Sequence, residues 1–349
     1  MNQDSYSTQE FNEDLTFHRI LPNSLNQSAI STDIKKIQTV TSFQTLLSKR
    51  QLLYLSAAFQ QADLPMLCLK GPVILEKAYA GQANRIMRDL DLLVHSDRLE
   101  EAASLLLQQG YVTEHDLGDI EFRKKENHYV FVHKDHRHVV ELHWKLFPNI
   151  LEEPDFHLLW DTRGSIQLGE QSVYCLNNEI LFAYLIIHGT KHGWFRLKWL
   201  FDIHQFLKLP LDWSQVSALT DAWEIQHMMG QAMILVQELF HQDVPRELQP
   251  YMHSSKSKRM THSALKMMSE KLDAEQTSLH FKNYLIWKKY YFLIRSPEKK
   301  KQFFLYHFIP TQHDREVLPL PKSLHALYIP LRPLTVLMRR YQAKREHMS

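Results

Sequence analysis

Glycine and cysteine are scarce in this 349-residue chain, and it has neither a long apolar run nor an excess of one charge. Nine glycines disfavour barrels, propellers and low-complexity tracts, because these use glycine freely at their turns. The two cysteines, Cys68 and Cys175, lie far apart without CxxC spacing, which excludes a disulfide framework and a cysteine-based zinc site. We expect two buried, reduced thiols in a helix-rich α+β protein.

The first residues lack the basic and apolar regions of a secretory signal, and no stretch approaches the roughly 18 apolar residues that a membrane span needs. We therefore expect a cytoplasmic protein. The net charge is only +2, but it is unevenly distributed. Residues 281–349 hold 14 Lys+Arg against 4 Asp+Glu, a net charge of +10, so the rest of the chain carries −8.

The basic C-terminal segment, residues 281–349, interleaves its charges with aromatic side chains. It contains Lys299-Lys300-Lys301, Arg339-Arg340, Trp287, Tyr290, Tyr291, Phe292, Phe303 and Phe304. Such a mixture permits binding to nucleic acid or to an anionic membrane surface. It is equally typical of a helical layer with buried aromatic rings and solvated lysines, which is the interpretation that we favour.

Hydrophobic periodicity predicts three parts: an N-terminal arm over 1–40, a mixed αβ core over 41–165, and a helical domain over 166–349 that ends in the basic segment. In the core, the pattern predicts a helix at 41–61, strands at 66–69, 89–94, 128–133 and 139–144, and a helix that opens at Pro72. Beyond residue 160 it predicts only helices, at 179–207 with Asn178 as the cap, near 214–240 and near 258–295.

Three acidic residues lie in the predicted strands. Asp89 and Asp91 are two residues apart and therefore project from one face of their strand. Glu141 interrupts an apolar strand and shares a face with Val139 and His143, where a half-buried carboxylate is costly unless it is paired or metal-bound. Carboxylate oxygens suit Mg²⁺. A solvent-facing acid pair and a buried salt bridge are the alternative interpretations.

The Lys70-Gly71 turn ends the first predicted strand and opens a helix. Its backbone N–H groups could receive a phosphate without obstruction by a side chain. An ordinary strand-to-helix turn is the alternative.

Several spaced motifs together carry a family resemblance. They are Leu69-Lys70-Gly71, RIMRDLDLLV at 85–94, Gly110-Tyr111, Glu141-Leu142-His143-Trp144, HGTKHGWFRLKWLFD at 188–202 and LYIPLRP at 327–333. This combination resembles the uncharacterised bacterial nucleotidyltransferases of the DNA polymerase β-like superfamily over roughly residues 45–340. The resemblance implies a minimal nucleotidyltransferase core, a mixed sheet with flanking helices, followed by a mainly helical C-terminal module.

The resemblance also implies a reaction. Asp89, Asp91 and Glu141 would be the catalytic carboxylates and would hold two Mg²⁺ ions, or Mn²⁺ in their place. A nucleoside monophosphate would pass from an NTP, with ATP favoured, to an unknown small-molecule or protein acceptor. The superfamily's usual Gly-Ser or Gly-Gly turn is Lys70-Gly71 here, so Lys70 would supply charge where a hydroxyl is lost.

Further nucleotide-binding candidates are cationic or aromatic. Arg85 and Arg88 are candidates for binding phosphate, although Arg88 beside Asp89 could form a structural ion pair only. On a continuous helix over 179–207, one stripe would hold His188, His192, Phe195, Trp199 and Asp202, with Lys191 and Lys198 beside it and Arg196 on the opposite flank. This stripe would be a wall of the nucleotide site, or else a core-facing aromatic stripe with solvated lysines.

Three alternative functions remain at this point. A zinc hydrolase is disfavoured, because Gly189 follows His188 where a general-base glutamate is needed. A noncatalytic protein of the same fold would bind nucleic acid, an anionic membrane or a protein partner through its basic C-terminal segment. A nucleotidyltransferase that modifies a protein is the third.

Overall fold

The computed structural model describes residues 17–19, 32–82, 85–136, 138–147, 150–272, 281–296, 299–301, 312–332, 334–335 and 338. The chain divides into two compact units, Met1–Lys271 and Leu272–Ser349. All candidate site residues lie in the first unit. The boundaries at residues 40 and 165 that periodicity indicates stay a prediction.

A seven-stranded mixed sheet forms the centre of the first unit. Its strands are β1 (Met66–Cys68), β2 (Asp89–Val94), β3 (Tyr111–Val112), β4 (His128–His133), β5 (Val139–His143), β6 (Gly164–Leu168) and β7 (Gln171–Cys175). They lie in the order β3-β4-β5-β2-β1-β7-β6. The β2–β5 and β1–β7 pairs are parallel and the others antiparallel. Five of the six residues of β2 are buried, as is typical of a strand covered on both faces.

Helices account for most of the remaining described chain. Those of the first unit are α1 (Thr32–Gln61), α2 (Pro72–Ala78), α3 (Leu99–Gln108), α4 (Ile120–Lys125), α5 (Phe156–Asp161), α6 (Asn178–Lys191), α7 (Leu197–Phe206), α8 (Trp213–Ala222), α9 (Gln226–Phe240) and α10 (Ser255–Ser269). Those of the second are α11 (Phe281–Ile294) and α12 (Gln312–Val317). Short 3-10 helices cover Ser96–Arg98, Arg246–His253 and Lys322–Leu327. Every helix within the described ranges is too short or too polar to cross a lipid bilayer.

The α+β class, the mixed sheet with flanking helices and the helical C-terminal part are confirmed. The expectation of helices only beyond residue 160 is wrong, because β6 and β7 form a hairpin that extends the sheet. Cys68 and Cys175 are buried free thiols, as expected. They lie opposite each other in the register of β1 with β7. The cap of α6 is Asn177 rather than Asn178, since Asn177 Oδ1 accepts a hydrogen bond from the Ile180 N–H at 2.9 Å.

The single helix expected over 179–207 is also wrong: α6 ends at Lys191 and α7 begins at Leu197. Between them Gly193 and Trp194 have positive φ angles, and the Trp194 side chain is fully buried. A Cβ atom at Gly189 would lie 2.2 Å from the Trp194 ring, so the indole occupies the space that this glycine leaves free. Burial of a large aromatic side chain thus favours a turn over continuation of the helix.

Two other helix boundaries differ from those that hydrophobic periodicity predicts. The helix expected near 214–240 is divided into α8 and α9 around Glu224, which has a φ of 55°. The first helix begins at Thr32, within the residues expected to form an arm.

The second unit buries part of the aromatic content of the basic C-terminal segment. Trp287 and Tyr290 of α11 are buried, whereas Phe292 is exposed. Four other predicted features, Phe303, Phe304, Arg339 and Arg340, lie outside the described residues, whereas Tyr291 and Lys299-Lys300-Lys301 lie within them.

Candidate active site

The parallel pairing of β2 with β5 brings the predicted carboxylates together. Asp91 lies directly opposite Glu141, and Asp89 lies opposite Val139. Because side chains alternate along a strand, Asp89, Asp91 and Glu141 share one face of the sheet. Asp91 is almost fully buried, whereas Asp89 and Glu141 are half-buried. The face therefore combines one inaccessible acid with two that solvent reaches.

Lys70 neutralises the buried acid. It follows β1, and the neighbouring Leu69 N–H donates to the Asp91 carbonyl oxygen at 2.9 Å, which aligns the turn with β2. Lys70 Nζ lies 2.6 Å from Asp91 Oδ1. Burial alone would lower the pKa of Lys70, but Asp91 together with Tyr184, Glu141 and Asp89 outweighs burial and raises it. Lys70 is therefore a fixed positive charge on this face.

Two histidines complete the acidic face, and neither was predicted from the sequence as a site residue. His143 Nε2 lies 3.4 Å from Asp91 Oδ1 and 3.4 Å from Glu141 Oε2. His128 Nε2 lies 4.0 Å from the same Glu141 oxygen. The alternation of side chains along each strand could have indicated them, because both histidines occupy strand positions that face the same side of the sheet as Glu141.

The site shifts the pKa values of these groups. Burial lowers the pKa of His128 to about 4, and the nearby His143 adds to this effect. Burial also opposes the charge on His143, but Asp91 and Glu141 overcome it and raise the pKa of His143. Burial would raise the pKa of Glu141, yet His143, Lys70 and His128 hold it well below its usual range. The Glu141 carboxylate is therefore ionised at neutral pH and can bind a cation.

One buried oxygen of the site, Oδ2 of Asp91, makes no hydrogen bond within the described part of the chain. The other oxygen, Oδ1, lies 2.6 Å from Lys70 Nζ and 3.4 Å from His143 Nε2, which compensate its charge. Buried polar groups are normally hydrogen-bonded, and exceptions cluster where a ligand or ion belongs.

Gly71 gives the turn after β1 its shape. Its φ of 66° and ψ of −118° immediately precede α2, whose first residue is Pro72. A Cβ atom there would meet the Asp89 carbonyl oxygen at 3.6 Å, so space alone would tolerate a side chain. The positive φ is the reason for glycine, because other residues rarely adopt it.

The two predicted arginines lie in different environments. Arg85 is buried, and its Nε donates to Asp202 Oδ1 and Oδ2, both at 2.9 Å. Tyr79 Oη donates to the same carboxylate at 2.8 Å, so this network ties α2 and the segment before β2 to α7. Arg88, by contrast, is exposed.

The helices α6 and α7 bring the predicted His and Trp residues next to the acidic face despite the turn between them. The ring of His188 lies beside Lys70, with Nδ1 3.4 Å from Nζ. His192 stacks on Trp199, with ring centroids 4.7 Å apart and planes at 17°. Burial lowers the pKa of both histidines, and the surrounding cations lower it further. Both rings are therefore neutral at neutral pH.

Lysines from both helices add to the positive charge here. Burial lowers the pKa of Lys191, and the nearby Lys70 lowers it further. Burial also lowers the pKa of Lys198, and there the nearby Arg85 adds to the effect. Neither ammonium group makes an ion pair with any residue that the structure describes. Arg196, before α7, has its guanidinium 5.0 Å from the centroid of the Phe195 ring. A multiply charged anion would compensate these cations.

A mixed sheet with acids on adjacent strands, next to a Lys-Gly turn and a cationic helix pair, defines a protein of the nucleotidyltransferase class. Comparison with known sequences agrees: residues 17–241 match the family described as uncharacterised nucleotidyltransferase, which is more than half of the chain. This protein belongs to that family, and the resemblance seen in its motifs is confirmed. It is a nucleotidyltransferase enzyme, and its acceptor is not identified by the family. No curated protein sequence matches the chain.

Solved structures show only distant likeness. A lincosamide antibiotic adenylyltransferase, LnuA, in its lincomycin-bound form is 15% identical, with a TM-score of 0.33, 46% of this chain covered and 96% of that one. ANT(2")-Ia in complex with adenylyl-2"-tobramycin is 14% identical, with a TM-score of 0.38 and coverage of 52% and 99%. An antigenic nucleotidyltransferase-like protein from Paracoccidioides brasiliensis is 18% identical, with a TM-score of 0.34 and coverage of 63% and 92%.

Proposed function

We propose that this enzyme transfers a nucleoside monophosphate from an NTP to a hydroxyl group of a small-molecule or protein acceptor, with ATP as the favoured NTP. The acceptor oxygen forms a bond to the α-phosphorus and releases its proton to solvent, the bond from that phosphorus to the oxygen that bridges to the β-phosphate breaks, and pyrophosphate leaves. The observation that carries this proposal is the pairing of Asp91 with Glu141 across β2 and β5, beside the fixed charge of Lys70.

Asp89, Asp91 and Glu141 are the residues that would hold divalent ions, Mg²⁺ or Mn²⁺. The donor set fits, because these ions prefer carboxylate oxygens and the buried Oδ2 of Asp91 has no hydrogen-bond partner among the described residues. When bound, a pair of such ions orients the triphosphate, lowers the pKa of the acceptor hydroxyl and stabilises the leaving pyrophosphate. Glu141 is proposed to lie nearest the acceptor and to accept a hydrogen bond from its hydroxyl.

The cations around the acidic face are proposed to bind the triphosphate. Lys191 and Lys198 have no ion-pair partner within the described ranges, so a phosphate oxygen would compensate charges that burial makes costly. Lys70, Arg85, Arg88 and Arg196 would raise the local positive potential, and the Gly71 backbone could approach a phosphate closely. The stacked, nearly parallel rings of His192 and Trp199, with His188 edge-on to Trp199, are proposed to offer a surface on which a base could stack.

We place the reaction in the cytoplasm, because the two buried free thiols are typical of a reducing compartment.

Calorimetry with Mg-ATP tests the nucleotide site independently of the acceptor. We expect metal-dependent binding by the native protein and its loss in Asp91→Asn, which removes the charge and keeps the shape. The matched control is Asp97→Asn, whose carboxylate is 83% exposed and outside the site. An acceptor screen by intact mass, which looks for one added nucleotide, tests the transfer itself. Equal nucleotide binding and equal product in Asp91→Asn and the native protein would refute the proposal.

A further inference from the structure

A cavity of about 310 Å³ lies between α1 and the turn that joins β4 to β5. The polar side chains of its wall are those of Arg50, Tyr54, Gln109, His133, His136 and His138. His133 is the last residue of β4 and His128 the first, so their side chains project from opposite faces of the sheet. At about 3.3 Å per residue, they are also about 17 Å apart along the strand. The cavity is therefore separate from the proposed nucleotide site.

Arg50 supplies this cavity with a full positive charge. Its guanidinium group makes neither an ion pair nor a hydrogen bond with any residue that the structure describes. The wall of the cavity contains no Asp or Glu, and the Asp135 carboxylate of the adjoining turn forms no ion pair in the described part of the chain. A guanidinium group presents paired N–H donors that match the oxygens of a phosphate or carboxylate group. The charge of the cavity thus favours an anion.

Two neutral side chains of the wall have N–H groups available. Nδ1 of His133 accepts hydrogen bonds from the backbone N–H groups of Asp135 and His136, at 3.2 Å and 3.3 Å. The ring proton of His133 is therefore on Nε2. The Oε1 atom of Gln109 accepts a hydrogen bond from the Tyr54 hydroxyl, whereas its Nε2 has no hydrogen-bond acceptor among the described residues. Both groups are donors, as an anion requires.

The three histidines of the wall lie close together. The rings of His133 and His136 stack with centroids 4.7 Å apart, and His138 lies 5.8 Å from His136. Burial lowers the pKa of His138, and His136 and His133 add to this effect. Nδ1 of His138 is buried without a hydrogen-bond partner within the described ranges. A bound anion would offset the mutual repulsion that opposes protonation of these rings.

We propose that this cavity binds a small organic molecule that carries a phosphate group. Arg50 pairs with the phosphate, and the neighbouring N–H groups donate to its remaining oxygens. A volume of about 310 Å³ is about ten times the share of one water molecule in the liquid, which is more than a free phosphate ion fills. Leu47, the Tyr54 ring and the stacked histidine pair form a wall for the organic part. The inference does not depend on the proposed function.

Phenyl phosphate is a suitable probe, with inorganic phosphate and phenol as its separate halves. Diethyl pyrocarbonate modifies accessible neutral imidazole rings, and peptide mass mapping of the full chain gives the rate at each histidine. We expect phenyl phosphate to suppress modification of the exposed His136, inorganic phosphate to do so only at higher concentration, and phenol to have no effect. The exposed His262 of α10 should react at the same rate throughout.

Three variants locate the binding. We expect Arg50→Met to raise the Kd, taken from the concentration that protects His136, by roughly 10–100-fold. Arg50 is exposed, so this substitution should leave the melting temperature unchanged. The matched control is Arg259→Met, which removes an exposed arginine of α10 and should keep the native Kd. Lys198→Met, in the proposed nucleotide site, should also keep it.

Equal protection of His136 in Arg50→Met and in the native protein overturns the proposal, and so does equal protection by phenol and phenyl phosphate. Loss of protection in Lys198→Met would place the binding in the nucleotide site and overturn it as well. Equal affinity for inorganic phosphate and phenyl phosphate would identify free phosphate as the ligand and overturn the organic part. None of these results bears on Mg-ATP binding, so failure here is distinguishable from failure of the proposed function.

Discussion

Lys70 and Asp91 form an ion pair of 2.6 Å in which the side chains are only 10% and 1% exposed. The pair joins the turn after β1 to the centre of β2, so the charge that the resemblance assigns to phosphate binding also neutralises a buried acid of the strand that carries the proposed site. A divalent ion at Asp91 would share this carboxylate with Lys70. The lysine thus ties the strength of cation binding to the stability of the fold.

Breaking this pair should be costly, because it leaves a buried charge without compensation. We expect Lys70→Met to lower the free energy of unfolding by about 3–5 kcal/mol. The double variant Lys70→Met/Asp91→Asn should recover part of this loss, since both charges are then removed. Urea unfolding of the four proteins of the cycle measures the coupling.

The matched control for this pair is Lys49→Met. Lys49 pairs with Glu76 at 2.5 Å, but both side chains are more than 20% exposed. We expect a loss below about 1 kcal/mol there. If Lys70→Met costs no more than Lys49→Met, the buried pair contributes nothing to stability.

Loss of Lys198, a lysine of α7, should weaken nucleotide binding while the proposed catalytic carboxylates stay in place. A charge-assisted hydrogen bond to phosphate is worth about 1.5–3 kcal/mol, so Lys198→Met should raise the Kd for Mg-ATP by roughly 10–100-fold. Calorimetry measures this at two salt concentrations. Lys208→Met, which removes an exposed lysine beyond α7, serves as the control and should leave the Kd unchanged. An equal Kd in Lys198→Met and the control would remove Lys198 from the proposed site.

Substitution of Gly189 should disturb the turn between α6 and α7. Its added Cβ would lie 2.2 Å from the buried Trp194 ring, which cannot move without displacing core side chains. We expect Gly189→Ala to lower the free energy of unfolding by about 1–3 kcal/mol or more, as overpacking does. In Gly118→Ala, used as the control, the new methyl group meets only the Asp116 Oδ1 atom at 3.3 Å. Similar stability of both variants would contradict close packing of Trp194 on Gly189.

Ionisation of Tyr111 should make the protein less stable at high pH. Burial raises the pKa of its hydroxyl to about 12, although the hydrogen bond that Gln51 donates to it at 2.8 Å acts the other way. The unfolded chain releases this proton near pH 10, whereas the folded protein keeps it until about pH 12. The contribution of Tyr111 to the free energy of unfolding is therefore fully present below pH 10, and about 3 kcal/mol of it is lost as the pH rises to 12.

Tyr111→Phe should lack this part of the pH dependence, because it has no proton to release. Unfolding by urea at pH 9, 10 and 11 measures the slope. Parallel slopes in Tyr111→Phe and the native protein would show that this hydroxyl ionises equally in both states.

The sequence by itself determined the elements whose signals are local. The alternation of Asp89 and Asp91, the Pro72 start and the apolar runs of β4 and β5 are read within a few residues, so these strands and the helix after Gly71 could be predicted. The motifs around Asp89 and Glu141 also indicated the family. Their roles, together with the metal and the acceptor, stay predictions.

Only the tertiary structure decided features that depend on distant partners. Trp194 ends α6 because its indole has a cavity to fill at Gly189, and no local propensity reveals that cavity. The hairpin of β6 and β7 forms because β1 offers it an open edge. His128 and His143 meet at Glu141 only through the register of β4 with β5, which long-range hydrogen bonds set. Arg85 likewise pairs with Asp202, 117 residues away, because burial of either charge alone would be too costly.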